Sequence, residues 1–145
     1  MRRAERLIYA ARNALPELRS RLDADLALID SDATDDESGF AAYGAYGRAV
    51  FDFLQGALKA NRDDDARRVF ALTEELALSG ETYAQSVVAT EIAYQLVNTG
   101  LNARARPLMG PATQRLLQEQ EELVAAAQSP RGRKWRFIEW LRGKR

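Results

Sequence analysis

The sequence predicts an all-α fold, a single-domain bundle of five to seven helices containing one hairpin of the helical-repeat kind. Three observations carry this. Apolar residues recur three and four positions apart through almost the whole chain, the spacing that lines one face of a helix. No stretch combines period-two alternation with β-branched enrichment, so nothing reads as a strand. Proline, glycine and asparagine fall between the apolar stripes, where helices start and stop. At 145 residues the chain has the length of one domain with one core.

Taken in order, Leu7, Ile8, Ala11 and Leu15 form a first stripe, and Leu18, Leu22, Leu26 and Ile29 a second. Pro16 lies between them. Proline suits the first turn of a helix but costs about 3 kcal/mol inside one. This predicts a helix near 3–14 and another near 16–29, or one helix kinked at Pro16. Residues 30–38, DSDATDDES, read as an acidic, turn-rich linker. The next helix, about 40–60, carries Tyr46, Val50, Phe53, Leu54, Ala57 and Leu58 on one stripe. Gly39, Gly44 and Gly47 interleave with Phe40, Tyr43 and Tyr46 at its opening. Each glycine weakens a helix by up to about 1 kcal/mol, so close approach of a neighbouring helix is the expected reason for three.

Asn61 ends that helix, and Asp63 to Asp65 open the next with negative charge at its positive dipole end. Val69, Leu72 and Leu76 point inward, and Gly80 is the predicted stop. Thr82 is the predicted cap of a further helix with the stripe Ala84, Val88, Ile92 and Leu96, closed by Gly100. These two helices form the repeat-like hairpin, too few units for a solenoid. Pro107, Gly110 and Pro111 mark 101–111 as a connector. A long helix over about 111–128 follows, with Leu116, Leu117, Leu123, Val124 and Ala127. Ser129-Pro130 breaks it, dividing a helical domain, 1–128, from a basic aromatic tail or short docked helix, 129–145.

The chain has no cysteine and no histidine. Thiolate chemistry is excluded, and so are the commonest general base and the commonest metal ligand. Neither the dinucleotide nor the phosphate-loop glycine motif is present. Gly44 to Gly47 match a nucleic-acid clamp only as letters, inside a helical pattern. Asp30 and Asp32 begin like a calcium loop, but Asp35 stands where its glycine belongs and Ala41 where its glutamate belongs. Glu74, Glu75 and Glu91 lie on adjacent helices, yet carboxylate metal bundles also need Glu-x-x-His pairs. The expectation is a protein without catalytic residues, metal or cofactor. Arg6, Arg12 and Asn13 interrupt the apolar start, and no apolar run nears the roughly 20 residues of a membrane span. A cytoplasmic location is expected.

The 21 basic residues balance the 21 acidic ones, but unevenly. Between Glu17 and Glu37 eight acids meet only two arginines, Arg19 and Arg21. From Asp52 to Glu91 eight acids meet four bases. From Pro130 to Arg145 seven bases meet only Glu139. The acidic stretches suit a cationic protein partner, whose encounter opposed potentials would speed. The tail alternates Arg131, Arg133, Lys134, Arg136 and Arg142 with Trp135, Phe137, Ile138, Trp140 and Leu141. That composition suits nucleic acid or an anionic membrane, or docking of Trp135, Ile138 and Leu141 on the acidic body.

LPELRSRL (15–22), AAYGAYGRAVFDFL (41–54), ARRVFALTEELALSGETYAQSVVATEIAYQL (66–96) and GPATQRLL (110–117) together resemble a poorly characterised bacterial family of small all-helical proteins of the toxin-immunity type. The resemblance implies an immunity protein, an antitoxin that binds a cognate secreted toxin as a heterodimer and occludes its active or target-binding surface. It brings no catalytic residue. The partner-binding residues expected are Asp30, Asp32, Asp35, Asp36, Glu37, Asp63, Asp64 and Asp65. Tyr43, Tyr46 and Tyr83 are the candidate aromatic anchors, because interfaces favour tyrosine. The alternatives are a helical adaptor binding nucleic acid or membrane through its tail, or a self-associating module.

Overall fold

Leu15 leaves the helical region at φ −129°, and Pro16 then opens a new helix, so the chain turns at this point and does not kink. The computed structural model describes residues 1–128. It contains seven helices and, among those residues, no strand. They are α1 (Arg3–Ala14), α2 (16–27), α3 (35–59), α4 (Asp63–Leu78), α5 (82–98), α6 (102–108) and α7 (Pro111–Gln128). The tail, with the docking expected of it, lies outside the described residues. No helix among those described is long and apolar enough to cross a membrane.

The stops fall where the sequence placed them. Asn61 sits at φ 58°, a left-handed conformation that asparagine tolerates. Arg62 N–H reaches back to the Ala57 carbonyl and Asn61 N–H to Leu58, which satisfies the last carbonyls of α3. Gly100, at φ 73°, ends α5 by the same pair of bonds to Leu96 and Val97.

Two starts differ. α3 begins at Asp35, inside the expected linker, because Thr34 accepts a bond from Glu37 N–H (3.1 Å) while Glu37 reaches back to Thr34 N–H. This capping box needs no apolar residue, so a reading by apolar stripe passes over it. Thr82 lies one residue inside α5 and makes no cap. The 101–111 connector contains the short helix α6.

α1 packs on α2, α3 and α4, and α7 lies across α4 and α5. The shared core is rich in fully buried alanines, among them Ala4, Ala11, Ala42, Ala45, Ala57 and Ala66, which let helix axes approach. Tyr46, Phe70, Ile8 and Leu54 are among the large side chains filling the remaining space. α3 and α5 each hold one widened turn. Phe51 N–H bonds the Tyr46 carbonyl and Tyr94 N–H bonds Ala89, both five residues back. The two widened turns lie against each other. There a side chain on Gly47 would come within 2.5 Å of the Glu91 carboxylate, so close approach of a neighbouring helix explains that glycine. It does not explain Gly44, whose neighbour is Arg48 of the same helix, or Gly39, which faces carbonyls of its own turn.

The start of α7 is capped from a distance. Glu74 of α4 accepts the backbone N–H groups of Ala112 (3.1 Å) and Thr113 (2.9 Å), placing a carboxylate at a positive helix end. Gly110 leaves the space for it, since a Cβ there would overlap Glu74. Gly110→Ala and Glu74→Ala are each expected to cost about 1–2 kcal/mol. Because both remove the same cap, the double variant should cost little more than the worse single one. Urea midpoints at constant m-value measure this, and full additivity would dissociate the glycine from the cap.

Candidate functional site

The first two turns of α3 gather much of what the acidic linker promised. Asp35 accepts the first backbone N–H of α1, from Arg3 (2.9 Å), and pairs with the Arg3 guanidinium (2.7 Å). That backbone bond, followed by the arginine's charge, holds the Asp35 carboxyl below the usual range. The same guanidinium lies 4.9 Å from the centre of the Tyr83 ring, a cation–π distance. Tyr83 meets Tyr43 edge-on at 5.8 Å, and Tyr43 meets Phe40 at 6.5 Å. The Tyr83 hydroxyl donates to the Gly39 carbonyl, and partial burial pushes its phenol up to about 12. Asp36, its side chain 97% exposed, stands at the edge with only a 3.4 Å contact to Arg3.

The result is a short aromatic row, Phe40–Tyr43–Tyr83, held by α1, α3 and α5 and bordered by carboxylates. Phe40 is 82% exposed. It was not among the expected anchors, although the sequence carries a signal. It precedes Tyr46 by six residues, which places it about 120° around the helix from the buried stripe. A large apolar residue off the inward stripe is either wasted or presented.

Tyr46 corrects the expectation in the other direction. It is 0% exposed, donates to the Leu7 carbonyl (2.6 Å), and has its phenol pushed up strongly by burial. It cannot touch a partner. The second acidic group also has internal duties. Asp63 pairs with Arg104, and Asp65 with Arg62 (3.0 Å) and Arg68 (2.9 Å). Asp64 is exposed, with Arg67 at 3.4 Å. Arg68 also binds Glu17, whose carboxyl is held down by that bond. The first group is tied to the start of α1 and the second to α2 and α6, and no bond joins the two. Asp30 accepts from Asp32 N–H (3.1 Å) in the turn before α3, and Asp32 is exposed.

Glu74 and Glu91, weighed together as carboxylates on adjacent helices, have separate surroundings, one at the α7 cap and one at Gly47. Among the described residues no group of three acidic, histidine or cysteine side chains is placed to hold a metal.

The sequence model of one family, described as a domain of unknown function (DUF7674), matches residues 10–124. The chain belongs to this family. The match takes in Phe40, Tyr43, Tyr83 and both acidic groups, and leaves out Arg3 and the basic tail. No curated protein and no solved structure matches the chain.

In this DUF7674 chain Glu91 supplies a pH-dependent handle. Desolvation raises its carboxyl, so charging it at neutral pH opposes folding. The sign follows from linkage. Between the unfolded and the raised folded pKa the native state holds more protons, so stability falls as pH rises through that interval. Glu91→Gln is therefore expected to raise the melting temperature at pH 7, with the gain vanishing once acid protonates Glu91. Thermal melts of both proteins at pH 7 and pH about 4 check this. A gain that persists in acid would assign the effect to packing.

Proposed function

We propose that the protein is an immunity protein. It binds a cognate bacterial toxin as a heterodimer and neutralises it by occlusion, with no catalytic step and no cofactor of its own. The observation that carries this reading is the exposed Phe40 on the row Phe40–Tyr43–Tyr83, edged by Asp36. An aromatic anchor on a capped helix start is pre-ordered, so binding loses little conformational entropy there. The neighbouring acid selects for a cationic surface and speeds its approach. The resemblance to proteins of the toxin-immunity type supports the same reading, and a cytoplasmic site of action follows from it.

The test is recovery of the tagged full chain from its native host, with bound species identified by mass spectrometry. One stoichiometric toxin domain is expected, and coexpressing this chain should abolish that domain's toxicity in a heterologous host. Recovery of nucleic acid, lipid or only further copies of this chain would replace the proposal with an adaptor or a self-associating module.

A further inference from the structure

A cleft of about 350 Å³ opens between the end of α2, the loop that follows it and the start of α3. Its apolar wall is Leu28, Ile29, Ala33 and Ala41, and Leu28 is 79% exposed at its side. Its polar wall carries three carboxylates, Asp25, Asp30 and Glu37, against one cation, Arg48. The Arg48 guanidinium already binds the partly buried Asp25 at 3.1 Å. Asp30 and Glu37 each lend an oxygen to a backbone N–H, that of Asp32 and that of Thr34, and no cation among the described residues pairs with either. The cleft therefore keeps a negative surplus beside an aliphatic surface.

We infer that this cleft receives one cationic side chain of the protein partner, an arginine in preference to a lysine. The inference rests on the protein-binding reading above and names the chemistry that the partner must present. Arginine and lysine pair an apolar stem with a charged head, the two characters of the cleft's lining. A guanidinium offers a planar fork of donors that can serve two carboxylates at once, which an ammonium matches less well. The cleft and the aromatic row also share one element, the first turns of α3. Glu37 and Ala41 line the cleft, while Phe40 and Tyr43 belong to the row.

The test titrates the ¹⁵N-labelled full chain with Nα-acetyl-arginine methylamide, using the neutral citrulline analogue as control. Saturable amide shifts are expected at Ile29, Ala33, Ser38 and Ala41, with a Kd in roughly the millimolar range that a single side chain supports. The citrulline probe should not saturate. Asp30→Asn with Glu37→Gln removes both charges and keeps both acceptor oxygens, so the turn and the capping box survive. It should weaken arginine binding about tenfold or more. Shifts that fail to saturate, that citrulline reproduces, or that survive the double substitution overturn the inference. If the substitution alone moves the Trp135 and Trp140 indole signals, the chain's own tail is the occupant and the assignment to a partner falls. The titration needs no partner, so its outcome is independent of the recovery experiment.

Discussion

Tyr46→Ala is expected to lower the unfolding free energy by about 3–5 kcal/mol, the range for removing a large buried aromatic. The ring is among the largest fully buried side chains and lies at the widened turn of α3. Its hydroxyl spans to the Leu7 carbonyl of α1, so the substitution opens a cavity and cuts a bond between two helices. Tyr46→Phe separates the two effects. It keeps the ring, and its cost should be about 1–2 kcal/mol for the lost hydrogen bond alone. Urea unfolding of the three proteins measures both values. A loss below about 1 kcal/mol for alanine would mean that the core relaxes around the site, contrary to close packing.

Phe40→Ala is expected to do the opposite. Its ring is mostly in water, so stability should stay within about 0.5 kcal/mol of the parent. Affinity for the proposed toxin partner should fall by at least about 2 kcal/mol, roughly 30-fold, if the ring is the central anchor of the interface. Calorimetric titration of the purified partner with both proteins decides it. Undiminished affinity would remove the aromatic row from the interface and leave the proposal without its main support. The pair of substitutions thus sorts two aromatics six residues apart into opposite roles, one in the core and one on the surface.

Much of the helical architecture was legible because its signals are local. Pro16, Asn61, Gly80 and Gly100 mark ends through backbone conformations that their neighbours do not alter. The start of α3 was missed because Thr34 and Glu37 act through hydrogen bonds alone. The acidic residues were harder to assign. Asp35, Asp63 and Asp65 look like surface charge in the sequence, yet Arg3, Arg104, Arg62 and Arg68 engage them. Arg3 and Arg104 lie 32 and 41 positions from their partners, where nothing local announces the pairing, while Arg62 and Arg68 pair with Asp65 at the helical spacing of three. Among the described residues, what the cations leave over is Asp30, Asp32 and Glu37, with Asp36 and Asp64 held only by contacts of 3.4 Å.

By itself the sequence determined that the chain is helical, where most helices stop, and that histidine and cysteine chemistry are absent. The helical period settles which residues share a face, so Val50, Leu54, Leu58 and their like were assigned inward without any neighbour in view. Tertiary structure alone decided which helix covers each face. That choice set Glu91 against Gly47, buried Tyr46 on α1, and left Phe40 in water. It also joined Asp25, Ile29, Ala41 and Arg48 around one cleft. The physical reason is that periodicity acts within one helix, whereas packing and long-range ion pairs depend on the relative placement of several helices at once.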